Sequence, residues 1–114
     1  MMSRNMRGPG NGGIKQWATK FENPTAAASN TSDSVALPNG AVGRPVKIKA
    51  SGSVAGAVTV NIGNGAQIVV QVNPNAPPTE ENIPSQAFPN QVSTVSFEYT
   101  TAGAGFLTIS VGFA

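Results

Sequence analysis

The chain has 114 residues, only 11% of them are charged, and the formal net charge at pH 7 is +2. Because it contains neither cysteine nor histidine, disulfides, thiolate metal sites and a histidine general base are excluded. Soluble domains average about 25% charged residues, and a surface of small neutral polar groups suits a subunit that its neighbours cover. We therefore expect a protein that is not an enzyme, with no catalytic residues, no cofactor and no metal.

Residues 1–24 predict an N-terminal arm. Closely spaced glycines around Pro9 disfavour regular secondary structure in its first half. The arm has a single acid, Glu22, against four of the seven basic residues of the chain, which are Arg4, Arg7, Lys15 and Lys20. We expect this basic arm to become ordered when it binds a partner.

The second half of the arm has an apolar stripe. Four residues are spaced at i, i+3, i+4 and i+7, namely Ile14, Trp17, Ala18 and Phe21. This is the spacing of one face of a two-turn helix. Because eight residues are too few to hold a helix in water, the pattern predicts a helix that packs against a partner.

Residues 25–34 are rich in Ala, Ser, Thr and Asn, and they predict a linker in which Asp33 is a turn residue. Residues 35–114 change to a period of 2, which is typical of strands with one buried face. The fold class predicted for this domain is all-β, an antiparallel β-sandwich of the jelly-roll-like kind or a small barrel, with the arm extending from it.

Connections between the predicted strands differ in length. Residues 57–72 predict a β-hairpin, with Gly63-Asn64-Gly65 at its turn. Residues 92–100 and 106–114 predict a second hairpin at the end of the chain. Residues 73–91 contain five of the nine prolines and predict a long connection that crosses from one sheet to the other.

Two groups of charged residues have competing interpretations. Glu80 and Glu81 are adjacent acids in a proline-rich segment, where divergent, solvated side chains are favoured over paired catalytic carboxylates. Lys47 and Lys49 fall on the outward face of one predicted strand. They could contact phosphate or an acidic partner, but outward lysines that protect a sheet edge against unwanted pairing are the favoured interpretation.

The aromatic residues have two interpretations as well. Trp17, Phe21 and Tyr99 could form a sugar-stacking platform of the kind that carbohydrate-binding modules present from a folded sheet. Alternation places Tyr99 with Phe97 on a core-facing side, and Trp17 falls in the arm. Packing is therefore favoured over sugar binding.

The pattern of the whole chain carries a resemblance to a family. The chain combines 114 residues without Cys or His, the arm MMSRNMRGPGNGGIKQWATKF and β-rich segments such as AVTVNIGNGAQIVVQV. In these features it resembles the head decoration or cement proteins of tailed bacteriophages, small virion proteins that sit on an icosahedral shell. The resemblance implies a jelly-roll-like or β-barrel fold and stabilisation of an expanded capsid, through contacts that bridge neighbouring subunits.

On this hypothesis the protein is a non-enzymatic virion structural protein, made in the host cytoplasm. Its partners would be the major capsid protein or other virion subunits, and it would be present as a homo-oligomer or as repeated copies on a shell. The partner-binding residues would be the anchors Trp17 and Phe21 with Ile14 beside them, and the charged Arg4, Arg7, Lys15 and Lys20.

Other functions stay open on the sequence alone. A β-sandwich module that binds a carbohydrate or a host surface is one alternative, and a tail or spike component of a virion is another. The small number of basic residues disfavours nucleic acid as the partner. No apolar run approaches the 18 or so residues that span a bilayer, and no signal peptide is recognisable, so no membrane association is expected.

Overall fold

The computed structural model describes residues 13–63 and 65–114 of the chain. Within them, strands account for almost all the regular structure, with two short 3-10 turns at Pro38–Gly40 and Ser85–Ala87. The strands are β1 (Gln16–Glu22), β2 (Ala28–Ala36), β3 (Pro45–Gly52), β4 (Gly56–Gly63), β5 (Ala66–Val72), β6 (Thr79–Asn82), β7 (Thr94–Thr101) and β8 (Leu107–Phe113).

The strands form two four-stranded antiparallel sheets. The first sheet has the order β1-β8-β3-β6 and the second sheet the order β2-β7-β4-β5. Apart from the β4–β5 hairpin, the chain changes sheet at every connection between consecutive strands, which is the winding of a jelly roll. The predicted fold class, a jelly-roll-like antiparallel sandwich, is confirmed.

The core lies between the sheets and follows from the period of 2. On β8, every second residue from Leu107 to Phe113 points inward and is fully buried, and the inner rows of β3 and β4 contribute the buried Ile48, Val58 and Val60. Branched aliphatic side chains dominate, and burial of each contributes about 1.5–3 kcal/mol. Residues with 0% or 1% exposure include Ile48, Val58, Val70, Leu107, Ile109, Val111 and Phe113.

The predicted helix in the arm is wrong. Residues 16–22 form β1, which pairs with β8 from Gln16 opposite Phe113 to Glu22 opposite Leu107. Pairing with β8 satisfies the backbone groups on one side of this segment along its whole length, whereas a lone eight-residue helix has no such support. The second half of the predicted arm is therefore part of the sandwich, and residues 1–12 lie outside the described residues.

The predicted linker is also wrong for most of its length. Residues 28–36 form β2, an outer strand of the second sheet that pairs with β7. Its small polar side chains are mostly exposed, and a register shift between Ala28 and Thr31 coincides with a positive φ of 46° at Asn30. Asp33 lies within this strand, opposite Phe97, and not in a turn. The domain thus begins near residue 16 and not at residue 35.

Of the two predicted hairpins, one is present. β4 and β5 pair as expected, and Gly63 and Gly65 have positive φ values of 92° and 75° at their turn. The second hairpin is wrong, because β7 belongs to the second sheet and β8 to the first. Each of these strands has a complete set of neighbours within its own sheet, so the short connection between them crosses the end of the sandwich.

The long connection crosses between the sheets as predicted. It leaves the second sheet after β5, contributes β6 to the first sheet and returns to the second sheet at β7. Glu80 and Glu81 are consequently in a short strand opposite Lys49 and Ile48 and not in a loop, but both are exposed as expected. Alternation along this strand gives the two acids different directions.

Candidate functional site

Strand β1 presents large aromatic side chains to solvent. Alternation turns Ala18 into the core, where it is 4% exposed, and leaves an outer row made of Trp17, Thr19 and Phe21. Trp17 is 37% exposed and Phe21 is 72% exposed. An outward aromatic row on a paired strand is held rigidly, as an interaction surface requires.

The neighbouring strand explains this exposure. Trp17 lies opposite Gly112 and Phe21 lies opposite Thr108, so β8 offers only small groups to cover them. Ile14, just before β1, packs closely on Gly112: a Cβ atom added to Gly112 would lie only 2.7 Å from the Ile14 Cδ1 atom. The apolar stripe expected from helical spacing is therefore divided: Ile14, Trp17 and Phe21 associate with the outer face, whereas Ala18 is in the core.

The Lys49 side chain on β3 extends past β8 to reach the outer row on β1. Its Nζ atom lies 4.4 Å from the centroid of the Trp17 ring, an arrangement in which the ammonium group is attracted by the ring face. Lys47, two residues earlier, lies 3.3 Å from Glu80 Oε1 on β6. Because β3 is an inner strand between β8 and β6, the interpretation that these lysines protect a sheet edge is wrong.

A shallow concavity of about 260 Å³ lies beside the outer row. It is bounded mainly by short hydroxyl side chains, and the hydroxyls of Thr19 and Ser110 are hydrogen-bonded at 2.9 Å. Such a surface can exchange hydrogen bonds with the hydroxyl or amide groups of a ligand. The lining residues are Thr19, Lys49, Ala50, Ser51, Pro78, Thr108 and Ser110.

Lys20 lies apart from the outer row. It alternates with the outer row, and its Nζ atom lies 3.5 Å from Asp33 Oδ2, joining the first sheet to the second. Lys15 is exposed, and its backbone N–H donates to the Phe113 carbonyl oxygen at 2.8 Å. Arg4 and Arg7 lie outside the described residues.

Where β1 and β2 meet, four side chains form a polar seam, made of Lys20, Glu22, Asp33 and Tyr99. The pKa of Glu22 is raised to about 7, first by desolvation and then by the adjacent Asp33 carboxylate, which accepts a hydrogen bond from the protonated form. The same hydrogen bond is the main cause that lowers the pKa of Asp33. Among the described side chains, Glu22 Oε2 is a buried oxygen without a partner, which also favours a protonated carboxyl.

Tyr99 completes the seam from the core side. It is 7% exposed, and desolvation raises its pKa, with the charges of Glu22 and Asp33 adding to the effect. Its burial beside Phe97, at a ring separation of 6.4 Å, confirms the predicted packing role. Tyr99 therefore cannot belong to a sugar-stacking platform with Trp17 and Phe21.

The outer face of the second sheet has a different character. A concavity of about 430 Å³ there is lined by small hydroxyl and amide groups with two carboxylate residues. The one aromatic residue of its lining, Phe97, has its side chain in the core. The lining residues are Ser32, Asp33, Ser34, Asn61, Ser96, Phe97 and Glu98. Compared with the outer row of β1, this face has no exposed aromatic anchor in its lining.

The sequence identified Trp17 and Phe21 as candidate anchors but missed their surroundings. Contact between Lys49 and Trp17, and the meeting of Glu22 with Asp33, depend on which strands are neighbours. The same segment also fits a strand, because its residues alternate between an outer row and an inner row. The outer row is Trp17, Thr19 and Phe21, and the inner row is Ala18, Lys20 and Glu22. The helical spacing of the apolar residues was given preference over this alternation. Within residues 13–63 and 65–114, no group of three acidic, His or Cys side chains could hold a metal ion.

Comparison with family models, with curated proteins and with solved structures found no match. In the part of the chain that the structure describes, no helix has the length and hydropathy to span a membrane.

Proposed function

We propose that the protein is a structural subunit of a virion, which decorates and stabilises a capsid by binding neighbouring subunits through the outer row of β1. The observation that carries the proposal is the exposure of Trp17 and Phe21 on a rigid, paired strand. Large aromatic side chains of this kind are typical centres of protein interfaces. The jelly-roll winding is a fold that viral capsid domains use, which supports the same proposal.

The charges near the outer row favour an acidic surface on the partner. Lys15 is exposed just before β1, and Lys49 lies over Trp17. Arg4 and Arg7 add positive charge a few residues upstream in the sequence. Basic groups around an aromatic centre would orient the protein on an acidic capsid subunit and speed its association. Many bound copies would then stabilise the shell by mass action.

The test is co-sedimentation of the full chain with expanded shells assembled from the major capsid protein of the same genome. Replacing both Trp17 and Phe21 with alanine should weaken shell binding about a hundredfold, because both anchors are lost. The matched control is Val42→Ala, which alters a side chain of 56% exposure outside the strands and should leave binding unchanged. Wild-type protein that stays in the supernatant would contradict the virion proposal.

The role of the arm needs its own variant. Because β1 belongs to the first sheet, the deletion has to stop before Gln16, and removal of residues 1–12 keeps every strand that the structure describes. We expect this deletion to weaken shell binding and to reduce its dependence on salt, since two arginines are lost. Equal binding at every salt concentration would restrict the interface to the sandwich.

A second candidate function is a carbohydrate-binding module, and the concavity beside the outer row favours it. Hydroxyl groups of Thr19, Ser51, Thr108 and Ser110 line this concavity, next to Lys49 and its Trp17 contact. A glycan array with the full chain distinguishes the two functions. Glycan binding that survives deletion of residues 1–12 and is abolished by Trp17→Ala would favour the module over the capsid subunit.

A further inference from the structure

The four outer strands of the two sheets are protected to different degrees. An outer strand has unpaired backbone N–H and C=O groups along one side, and natural proteins limit unwanted pairing with charges, prolines, bulges or short strands. The outer strands here are β1 and β6 in the first sheet and β2 and β5 in the second.

Three of these strands carry such devices. β6 has only four residues, of which Glu80 and Glu81 are charged, and prolines stand on both sides of it. β1 and β2 face each other across the polar seam, where Lys20 pairs with Asp33. β2 also has an irregular register between Ala28 and Thr31. Pairing with another chain is disfavoured at all three.

β5 has none of these devices. Its seven residues, AQIVVQV, include no charge, no proline and no glycine, and its pairing with β4 is regular from Gln67 to Val72. Within residues 13–63 and 65–114, β4 is the only strand that pairs with it. Its inner row, Ile68, Val70 and Val72, is anchored in the core. The inner row therefore anchors this outer strand to the core.

The composition of β5 also determines which partner fits. In an interface with two-fold symmetry, the same patch contributes from both copies, so a charged residue near the axis faces its own like charge. The exposed row of β5 consists of Gln67, Val69 and Gln71, where Val69 is 40% exposed. In this row two neutral amides flank one apolar residue. The order of side-chain types is therefore the same in both directions, as antiparallel pairing of two identical strands requires.

We propose that β5 pairs antiparallel with β5 of a second copy of this chain, which joins two second sheets into one eight-stranded sheet across a two-fold axis. The inference is independent of the capsid proposal, because the outer row of β1 lies on the other sheet and stays exposed in such a dimer. Pairing adds main-chain hydrogen bonds and buries the two Val69 side chains against each other or against the flanking amides.

Light scattering coupled to size exclusion tests the proposal on the full chain, from about 10 µM to about 1 mM. We expect a particle of twice the chain mass of 11.6 kDa for the wild type. Val69→Lys places like charges close together and should raise the dimer dissociation constant at least about tenfold. The matched control, Val42→Lys, places the same charge at an exposed valine away from β5 and should leave the dimer unchanged.

Disulfide cross-linking tests whether the dimer forms through β5. Because the natural chain contains no cysteine, the single substitutions Gln67→Cys, Val69→Cys and Gln71→Cys each provide one thiol on the exposed row. Mild oxidation should link at least one of them into a dimer through a disulfide, whereas Val42→Cys should give no disulfide-linked dimer. A wild type that is monomeric at every concentration would overturn the proposal, and so would a dimer that survives Val69→Lys and gives no cross-link on the row.

Discussion

Where β1 and β2 meet, the sandwich is closed by charged and polar side chains, whereas the opposite side, at β5 and β6, is closed by aliphatic ones. Lys20 and Asp33 join the two sheets on the first side. On the second side Val70 and Val72 of β5 are buried, together with Ile83 just after β6. The two sides of one sandwich are therefore closed by different kinds of side chain, and changes of pH and salt should affect them differently.

The difference has consequences for pairing as well as for stability. A polar seam responds to pH and salt, and its charges protect the outer strands from foreign partners. Aliphatic closure gives more stabilisation per side chain and is independent of pH. β5, the outer strand of the second sheet on this side, contains no charged residue, so this protection is absent there.

The largest effect is expected on the aliphatic side. Val70 is 0% exposed, and Val70→Ala removes two buried methyl groups, which should lower the free energy of unfolding by about 2 kcal/mol. The loss should be the same at pH 5 and pH 8. Urea denaturation measures it, and Val42→Ala, the same change at a valine with 56% exposure, is the matched control. Equal losses in the two variants would contradict the burial of Val70 in the core.

An intermediate effect is expected at the seam, through Glu22. Its pKa is raised to about 7 from 4.5, so the folded chain holds this proton more tightly than the unfolded chain does. The contribution to stability is present below about pH 4.5 and is lost as the pH rises to about 7. The slope can reach at most about 1.4 kcal/mol per pH unit, and partial exposure makes it smaller.

The variant Glu22→Gln removes this titration. Its free energy of unfolding, measured by urea denaturation at pH 5, 6, 7 and 8, should change less with pH than that of the wild type. The lowered pKa of Asp33 acts in a separate window, since it stabilises the fold above the ordinary value of 3.8 and loses that contribution at lower pH. Glu98→Gln on the outer face of the second sheet is the control and should keep the wild-type slope. Parallel curves for wild type and Glu22→Gln would refute the linkage.

The smallest effect is expected for the ion pair itself. The Lys20 side chain is 42% exposed in its pair with Asp33, and exposed pairs of this kind contribute less than about 1 kcal/mol. Lys20→Gln should therefore lower the free energy of unfolding by a few tenths of a kcal/mol. In thermal melts, 1 M salt should reduce the difference between the variant and the wild type, because salt screens the ion pair. Lys15→Gln, just before β1, is the matched control. A loss as large as that of Val70→Ala would mean that the seam and not the aliphatic side dominates closure.

Several features of the fold could be predicted from the sequence because they are local. Alternation in residues 57–72 identified the β4–β5 hairpin, and the two glycines marked its turn. The inward row of β8, from Leu107 to Phe113, followed from the same period of 2. Trp17 and Phe21 were recognised as candidate anchors because large apolar side chains in a polar, glycine-rich segment indicate a contact.

Other features could not be predicted because they depend on distant parts of the chain. Four apolar residues of the arm fit a helix by spacing, but β8 supplies a ladder that a strand can use and a helix cannot. Residues 28–36 have weak strand propensity, and β2 forms because β7 offers it an edge to pair with.

By itself, the sequence determined the all-β sandwich with its buried rows, and the absence of cysteine and histidine, because periodicity and composition are properties of the chain alone. The tertiary structure alone decided that Lys49 covers Trp17, that Glu22 meets Asp33 beside Tyr99, and that β5 keeps a bare edge. The physical reason is strand order: side chains far apart in sequence become neighbours only when the jelly-roll winding brings their strands into one sheet or face to face across the sandwich.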